Sequence, residues 1–164
     1  MDSLPTAGTT LQIDTREPDP HPWQRHLPEV TFQRQGLETG DVCLAGNPLV
    51  VIERKTVADF LGSITTGRER FTNELRRARF LDSFTVIIEG SLPEVNARRG
   101  GMSESALLGT IAAFSRRGIQ IIFAGTERMA AIIAWRLLSQ PIAEANRLVK
   151  DCARQIKTSA ENLP

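Results

Sequence analysis

The chain begins with short alternating segments and continues with longer apolar runs. TLQIDTR (10–16) alternates, with Leu11 and Ile13 on one face, which predicts a half-buried strand. EVTFQRQ (29–35) predicts a second strand, whereas the four prolines between 17 and 28 predict a loop. Apolar runs predict four further strands: GDVCLA (40–45), PLVVIERK (48–55), FTVIIEG (84–90) and IQIIFAG (119–125).

Helical spacing of apolar residues separates the later strands. TVADFLGSIT (56–65) predicts a helix that Gly67 interrupts, and residues 68–81 predict a second helix with an arginine-rich outer face. Strands that alternate with helices in this way predict an α/β fold, with a mixed sheet flanked by helices. The remaining predictions are a loop at 91–102, helices at 104–117 and 127–140 capped by Ser103 and Thr126, and a short helix at 142–158.

Length and composition predict one folded domain. With 164 residues, 41% hydrophobic and 24% charged, the chain has the composition of a globular protein and not of a disordered one. We expect a flexible arm at 1–9, a domain at 10–140 and a helical extension at 141–164. No leader and no apolar run of about 20 residues is visible, so we expect a cytoplasmic protein that is not secreted.

Charge and cysteine content exclude little. The net charge of +1 does not by itself mark a nucleic-acid binder, so any such signal must come from where the charges lie. Cys43 and Cys152 form no CxxC pair, which suggests neither a zinc site nor a disulfide framework. We expect a packed thiol at Cys43.

The predicted hairpin at 40–55 carries charged residues where its two strands end. A turn at 46–48 would place Asp41 opposite Glu53, and carboxylates paired in this way can touch one ion. Glu53 and Lys55 share a face because they are two residues apart in a strand. Oxygen ligands of this kind suit Mg²⁺, and the lysine could orient a water molecule. Charges at a strand end are also common on a solvated surface, and this short pattern alone leaves both interpretations open.

The segment VIERKTVAD resembles the nuclease domain of the XPF family of structure-specific endonucleases. That family has the signature ERKxxxD, which is fitted by Glu53, Arg54, Lys55 and Asp59. The resemblance covers about residues 11–125 in the same order. Further segments match the family's DxRE, GDY, SxxxGR and strand motifs, namely IDTRE (13–17), GDV (40–42), SITTGR (63–68) and VIIEG (86–90).

The resemblance implies a restriction-endonuclease-like fold of the PD-(D/E)XK class and metal-dependent cleavage of DNA near branch points. Asp41 and Glu53 would bind Mg²⁺, for which Mn²⁺ could substitute, and Lys55 would serve the attacking water. Asp14 and Glu17 would line the same site as catalytic residues and metal ligands, with one or two ions left open. Supporting roles at the site or on phosphate are implied for Arg16, Arg54, Asp59 and Arg68.

DNA binding is predicted from the basic face of the helix at 68–81. Its arginines could make sequence-independent phosphate contacts, although an ordinary solvated helix face is the alternative. The DNA-binding residues that we predict are Arg68, Arg70, Arg76 and Arg77. Val42, Thr66 and Thr72 depart from the family's usual residues, but none of the three is a predicted ligand.

The predicted partners follow from the family as well. We expect branched DNA in repair or recombination, a homodimer through the late helices, and a separate protein that supplies a junction-binding helix-hairpin-helix module. An inactive DNA-binding or scaffold subunit is the alternative function. We expect His21 and His26 to lie in a surface loop, and Trp135 to serve in helix packing or a dimer surface.

Overall fold

A six-stranded mixed sheet forms the centre of the molecule. The computed structural model describes residues 9–140 together with 144 and 148. The sheet has the order β2-β1-β3-β4-β5-β6, in which β3 is antiparallel to both of its neighbours and the other pairs are parallel. The strands are β1 (Thr10–Ile13), β2 (Thr31–Arg34), β3 (Val42–Leu44), β4 (Asn47–Lys55), β5 (Ser83–Ile88) and β6 (Gln120–Phe123). The predicted mixed sheet is confirmed.

Helices cover both faces of this sheet. Their bounds are α1 (Val57–Ile64), α2 (Arg68–Arg77), α3 (Leu92–Ala97), α4 (Glu104–Ser115) and α5 (127–140). The predicted caps are present, since the Ser103 side chain accepts a hydrogen bond from Ala106 N and Thr126 Oγ1 accepts one from Met129 N. Residues 142–158, where a last helix was predicted, lie outside the described part of the chain except for 144 and 148.

Two predicted loops contain helical turns, and both errors come from proline. The segment 17–28 includes a 3₁₀ helix at Pro22–His26, whose Trp23 is completely buried. The segment 91–102 includes α3, with Ser91 as its N-cap and a proline in its first turn. Proline in the first turn removes an N–H that has no helical partner, so it favours a helix start there instead of preventing one.

The sheet separates two hydrophobic clusters. One cluster packs side chains of α1 to α4 on β5, and it includes Phe60, Phe71 and Leu107. The other packs α5 and the buried Trp23 on the opposite face. Trp135 belongs to this second cluster and is fully buried, which confirms helix packing and not a stacking surface. Cys43 is also fully buried, as predicted.

The hairpin keeps the predicted register at one end and loses it at the other. Val42 faces Ile52 and Cys43 faces Val51, and the same register continued by one residue sets Asp41 opposite Glu53. The register then shifts between Cys43 and Leu44, so that Leu44 faces Asn47. The predicted three-residue turn is therefore wrong, because a bulge and a tighter turn replace it. The carboxylate end is unaffected.

Among residues 9–140 with 144 and 148, we find no helix of the length and apolarity that a bilayer crossing requires.

Candidate active site

A cleft of about 730 Å³ opens beside the ends of β3 and β4, under α1 and α2. It contains equal numbers of acidic and basic side chains. The acidic ones are Glu17, Asp41, Glu53, Asp59 and Glu74, and the basic ones are Arg16, Arg54, Lys55, Arg70 and Arg77. The cleft therefore gathers most of the predicted site residues, with Asp14 as the main exception.

Asp41 is held in place by the backbone around it. Gly40, directly before it, has φ +77°, and a Cβ at that position would lie 2.2 Å from Val51 Cγ1. Only glycine allows the chain to pass there, because this conformation and this close approach both exclude a side chain. Asp41 N donates to Ile52 O at 2.9 Å, and Asp41 Oδ2 accepts from Arg54 N at 2.8 Å. One carboxylate oxygen is thus occupied by the partner strand.

Glu53 and Lys55 lie side by side at the end of β4. Lys55 Nζ donates to Glu53 Oε1 at 2.7 Å and lies 4.9 Å from the centre of the Phe71 ring. Glu53 is only 4% exposed, and its other oxygen, Oε2, is buried without a hydrogen-bond partner. An unpaired buried carboxylate oxygen is costly, so this atom marks a place where a positively charged partner would stabilise the fold.

The ionisation of this pair points the same way. Burial, with the charge of Glu17 added to it, raises the pKa of Asp41 to about 7. Burial and the charge of Asp41 raise the pKa of Glu53 to about 9. Lys55 opposes the rise but does not cancel it. Two neighbouring buried carboxylates repel each other when both are ionised. A divalent cation between them would offset this repulsion and favour the ionised forms.

Asp41 and Glu53 therefore fit a hard cation by their chemistry. In the described part of the chain, no three His, Cys, Asp or Glu side chains are grouped closely enough to hold one metal ion. Mg²⁺ commonly takes one or two carboxylates and keeps several water molecules, so a pair of carboxylates is a sufficient protein contribution. A phosphate group of a substrate could supply a further oxygen.

Glu17 is close to this pair but is tied to the other side of β4. Its Oε2 accepts from Arg54 at 3.3 Å and lies within ion-pair distance of His21 Nε2, at 3.2 Å. Burial alone would raise the pKa of Glu17, but His21 and Arg54 outweigh it and lower the pKa. The predicted surface position of His21 is wrong, because this ring is 4% exposed and accepts from Trp23 N.

Arg54 is the centre of a buried network that the sequence did not reveal. Its guanidinium donates to both oxygens of Glu89, at 2.8 and 2.9 Å. Glu89 also accepts from Trp23 Nε1 at 2.7 Å. Arg54 points away from Glu53 and Lys55, as strand alternation predicts, and it joins β4 to the ends of β5 and of the proline-rich segment. Its contacts are those of a positioning residue.

Asp14 is placed differently from the other predicted ligands. It is 1% exposed, it is absent from the cleft lining, and both of its oxygens accept hydrogen bonds. Oδ1 accepts from the backbone and side chain of Arg16, and Oδ2 accepts from Leu37 N at 2.7 Å. Burial alone would raise the pKa of Asp14, but these donors outweigh it and lower the pKa. Its contacts connect two loops, and its predicted metal role stays a prediction.

Comparison with known proteins identifies the family. A scan against protein families matches residues 13–134 to the ERCC4 domain, which is more than half of the 164-residue chain. The chain belongs to the ERCC4 domain family. The predicted resemblance to the XPF nuclease domain is therefore confirmed. A search of curated proteins gives no match.

Solved structures agree on the fold of this ERCC4 domain. XPF from Aeropyrum pernix is 23% identical with a TM-score of 0.67, and the match covers 94% of this chain and 75% of that one. A structure described as XPF from Aeropyrum pernix, complex with DNA, is 23% identical with a TM-score of 0.65, over 83% of this chain and 66% of that one. The predicted mixed α/β sheet flanked by helices is confirmed, and it is similar to the fold of XPF from Aeropyrum pernix.

The basic residues of the ERCC4 domain divide between two places. Arg16, Arg70 and Arg77 line the cleft. Arg76 lines a different pocket, and Arg68 is exposed at the first residue of α2. The predicted DNA-binding face is therefore two surfaces on one helix.

Asp59, the last residue of the ERCC4 domain's signature, lines the cleft and also caps a helix. Its backbone N–H donates to Thr56 Oγ1 at 3.1 Å, and its Oδ2 accepts from the same hydroxyl at 2.6 Å. This reciprocal contact holds the first turn of α1 directly after β4. Its contacts therefore support the site by fixing where the helix begins.

Two acidic residues of the cleft region were missed in the sequence. Glu89 directly follows the buried strand β5, and Gly90 after it has no room for a Cβ, which would lie 2.2 Å from Val57 Cγ2. Glu74 on α2 lines the cleft, and its charge raises the pKa values of Asp41 and Glu53. Helical spacing from Arg70 and Arg77 could have placed Glu74 on the cleft side.

Proposed function

We propose that this chain is a divalent-metal-dependent DNA endonuclease that acts on branched DNA. The observation that carries the proposal is the buried, unpartnered Oε2 of Glu53, which lies in a cleft with Asp41 and Lys55. Membership of the ERCC4 domain family supports it, and the similar structure that is described as a complex with DNA supports the choice of substrate.

Asp41 and Glu53 would hold Mg²⁺, or Mn²⁺ in its place. Such an ion lowers the pKa of a bound water and offsets the negative charge that develops on the phosphate. Lys55 has two N–H donors beyond the one given to Glu53, and it would orient the attacking water or the phosphate. Glu17 would have one of two roles. It would be a ligand of a second ion, or it would support the site by holding Arg54 in position.

The reaction is hydrolysis of one phosphodiester bond. The water oxygen forms a bond to phosphorus as the bond from phosphorus to the 3′ oxygen breaks. The departing oxygen takes a proton, so the products carry a 5′-phosphate and a 3′-hydroxyl. End-group labelling of the cleaved strands checks this direction, and a 3′-phosphate would contradict it.

Arginines around the cleft would grip the DNA backbone. Arg16, Arg70 and Arg77 line the cleft and would contact phosphates beside the cleaved bond. Arg68 would extend the contact at the start of α2. Binding through such groups is independent of sequence and weakens as salt rises.

The deciding experiment compares flap, fork and plain duplex DNA with Mg²⁺, Mn²⁺ or EDTA. We expect metal-dependent cutting that is lost in Asp41→Asn. Asp82→Asn is a matched control, because Asp82 is exposed and does not line the cleft. Binding of all three DNAs without cutting would instead identify an inactive DNA-binding subunit.

The proposed assembly is a homodimer through the late helices, which acts in DNA repair or recombination with a junction-binding partner. Exposed Met129 on α5 is one apolar residue available for such a contact. Sedimentation equilibrium of the chain, with and without fork DNA, would test the dimer. A monomer under both conditions would contradict it.

A further inference from the structure

A second basic concavity lies away from the cleft. It has a volume of about 570 Å³ and is lined by four arginines with Thr72, Leu75 and Ile119. Arg76 and Arg79 come from the end of α2 and the turn after it, and Arg116 and Arg117 follow α4. We call this concavity the arginine pocket. Residues distant in sequence thus bring four positive charges together.

Helix α2 separates the arginine pocket from the cleft. At about 100° per residue, Arg70, Glu74 and Arg77 fall on one side of α2. Thr72 and Arg76 fall on the opposite side, and Arg79 lies in the 3₁₀ turn that follows α2. The first group lines the cleft and the second lines the arginine pocket. The diameter of a helix with its side chains is about 10–12 Å, so a ligand that reached both sites would have to cross that distance.

The charges of the arginine pocket are not balanced within the protein. No carboxylate lines it, whereas the cleft has as many acidic as basic side chains. Among the described residues, the side chains of Arg79, Arg116 and Arg117 have no hydrogen-bond or ion-pair partner, and Arg76 donates only to Asn73 Oδ1 at 2.8 Å. An arginine at the C-terminal end of a helix does interact favourably with the helix dipole and so stabilises the helix. That effect does not require arginines of two helices to converge.

We propose that the arginine pocket binds the phosphate backbone of a second DNA segment, beyond the segment held in the cleft. This inference rests on the proposed function and narrows the proposed substrate. The DNA would have one segment in the cleft and a second segment on the other side of α2, as two arms of a branched molecule would. Guanidinium groups match phosphate geometry well, and four of them suit repeated phosphates more than a single anion. Helix α2 contributes basic residues to both sites, Arg70 and Arg77 to the cleft and Arg76 to the arginine pocket.

The test measures DNA binding in EDTA, where cleavage does not interfere. The double variant Arg116→Gln/Arg117→Gln removes two charges from the arginine pocket and leaves the cleft intact. Arg128→Gln/Arg136→Gln is the matched control, because both residues are exposed on α5, which packs on the opposite face of the sheet. Fluorescence anisotropy with a fork and with a plain duplex of about eight base pairs gives the affinity at several salt concentrations.

We expect the pocket variant to bind the fork roughly tenfold more weakly than wild type. The slope of log affinity against log salt concentration should also fall, by the amount that corresponds to about two lost phosphate contacts. The pocket variant should bind the short duplex, which is intended to fill only the cleft, as tightly as wild type does. The control variant should match wild type on both DNAs. Arg116→Lys/Arg117→Lys retains the charge and should recover most of the fork affinity.

Other outcomes overturn the inference in distinguishable ways. If wild type cuts the fork but the pocket and control variants bind it equally, the second DNA contact is excluded and the proposed function stands. If the pocket variant loses affinity only in step with a lower melting temperature, the arginines stabilise the helix ends and the inference fails. If wild type neither binds nor cuts DNA, the proposed function fails and this inference with it.

Discussion

Asp14 and Glu53 are two carboxylates with almost the same burial and opposite behaviour. Their exposures are 1% and 4%, but the pKa of Asp14 is lowered and that of Glu53 is raised to about 9. Asp14 accepts three hydrogen bonds from Arg16 and Leu37. Glu53 accepts one, from Lys55, and faces the charge of Asp41. Burial raises the pKa of both carboxylates, but the donors around Asp14 outweigh it, whereas Lys55 does not offset burial and the charge of Asp41 at Glu53.

The opposite pKa shifts separate motif residues that stabilise the fold from motif residues that are suited to bind a ligand. Asp14 is satisfied within the protein, so its charge contributes to folding and connects two loops. Glu53 is not satisfied, so its charge opposes folding until a cation arrives. Protein sites that bind a ligand commonly keep such a stability cost in the free state.

The largest effect should come from Glu53→Gln. We expect the cleavage rate to fall at least about 100-fold, because loss of a metal ligand should exceed the 10- to 100-fold cost of losing an outer partner. The melting temperature of the metal-free protein should not fall, since glutamine has nearly the same size and no charge to oppose Asp41. Single-turnover cleavage and thermal unfolding in EDTA measure the two quantities. A large loss of stability would show that Glu53 is satisfied in the free protein.

The converse should hold for Asp14→Ala. We expect the free energy of unfolding to fall by about 1–3 kcal/mol, because the N–H groups of Arg16 and Leu37 lose a buried, charged acceptor. Urea unfolding gives this value, with the exposed Asp82→Ala as control. Asp14→Asn, which keeps one acceptor oxygen, should lose less stability and retain cleavage. Loss of cleavage in that variant at unchanged stability would instead identify Asp14 as a metal ligand.

The smallest effect should appear in the pH dependence of stability in EDTA. A raised pKa means that the folded state holds the proton more tightly, so the contribution of Glu53 is full below its ordinary pKa of 4.5 and is lost as pH rises to about 9. Asp14 has the opposite sign, and its contribution is lost as pH falls below its ordinary pKa of 3.8. Glu53→Gln should therefore flatten the decline between pH 5 and about 9. An equal decline in wild type and variant would contradict the raised pKa.

Much of the site could be predicted because its parts are local in sequence. Strand alternation was enough to put Glu53 and Lys55 on one face and Arg54 on the other. The predicted register of the hairpin placed Asp41 opposite Glu53 although the predicted turn was wrong. The error in the turn lay at the tip of the hairpin and did not reach the end that carries the two carboxylates. What could not be predicted depends on distant residues. The partners of Arg54 come from the ends of other elements.

The same limit explains why the partners of Asp14 and the burial of His21 were not predicted. The motif DxRE shows that Asp14 follows a strand, but not that Leu37 N would occupy its outer oxygen. Prolines around His21 indicated an exposed loop, and the buried Trp23 within that segment gave the only contrary signal. A tryptophan between prolines can anchor a segment to the core, because a large apolar surface outweighs an irregular backbone.

The shift in register between Cys43 and Leu44 has a consequence for how this hairpin can change. A bulge absorbs an extra residue locally, so differences in length at the tip need not reach the paired residues beyond it. Val42 and Ile52 stay opposite each other, and Gly40 keeps the approach to Asp41 tight. The tip can therefore accept insertions or a fused peptide tag while the spacing of Asp41 and Glu53 is preserved. The bulge thus separates a tip whose length can vary from a paired end whose geometry is fixed.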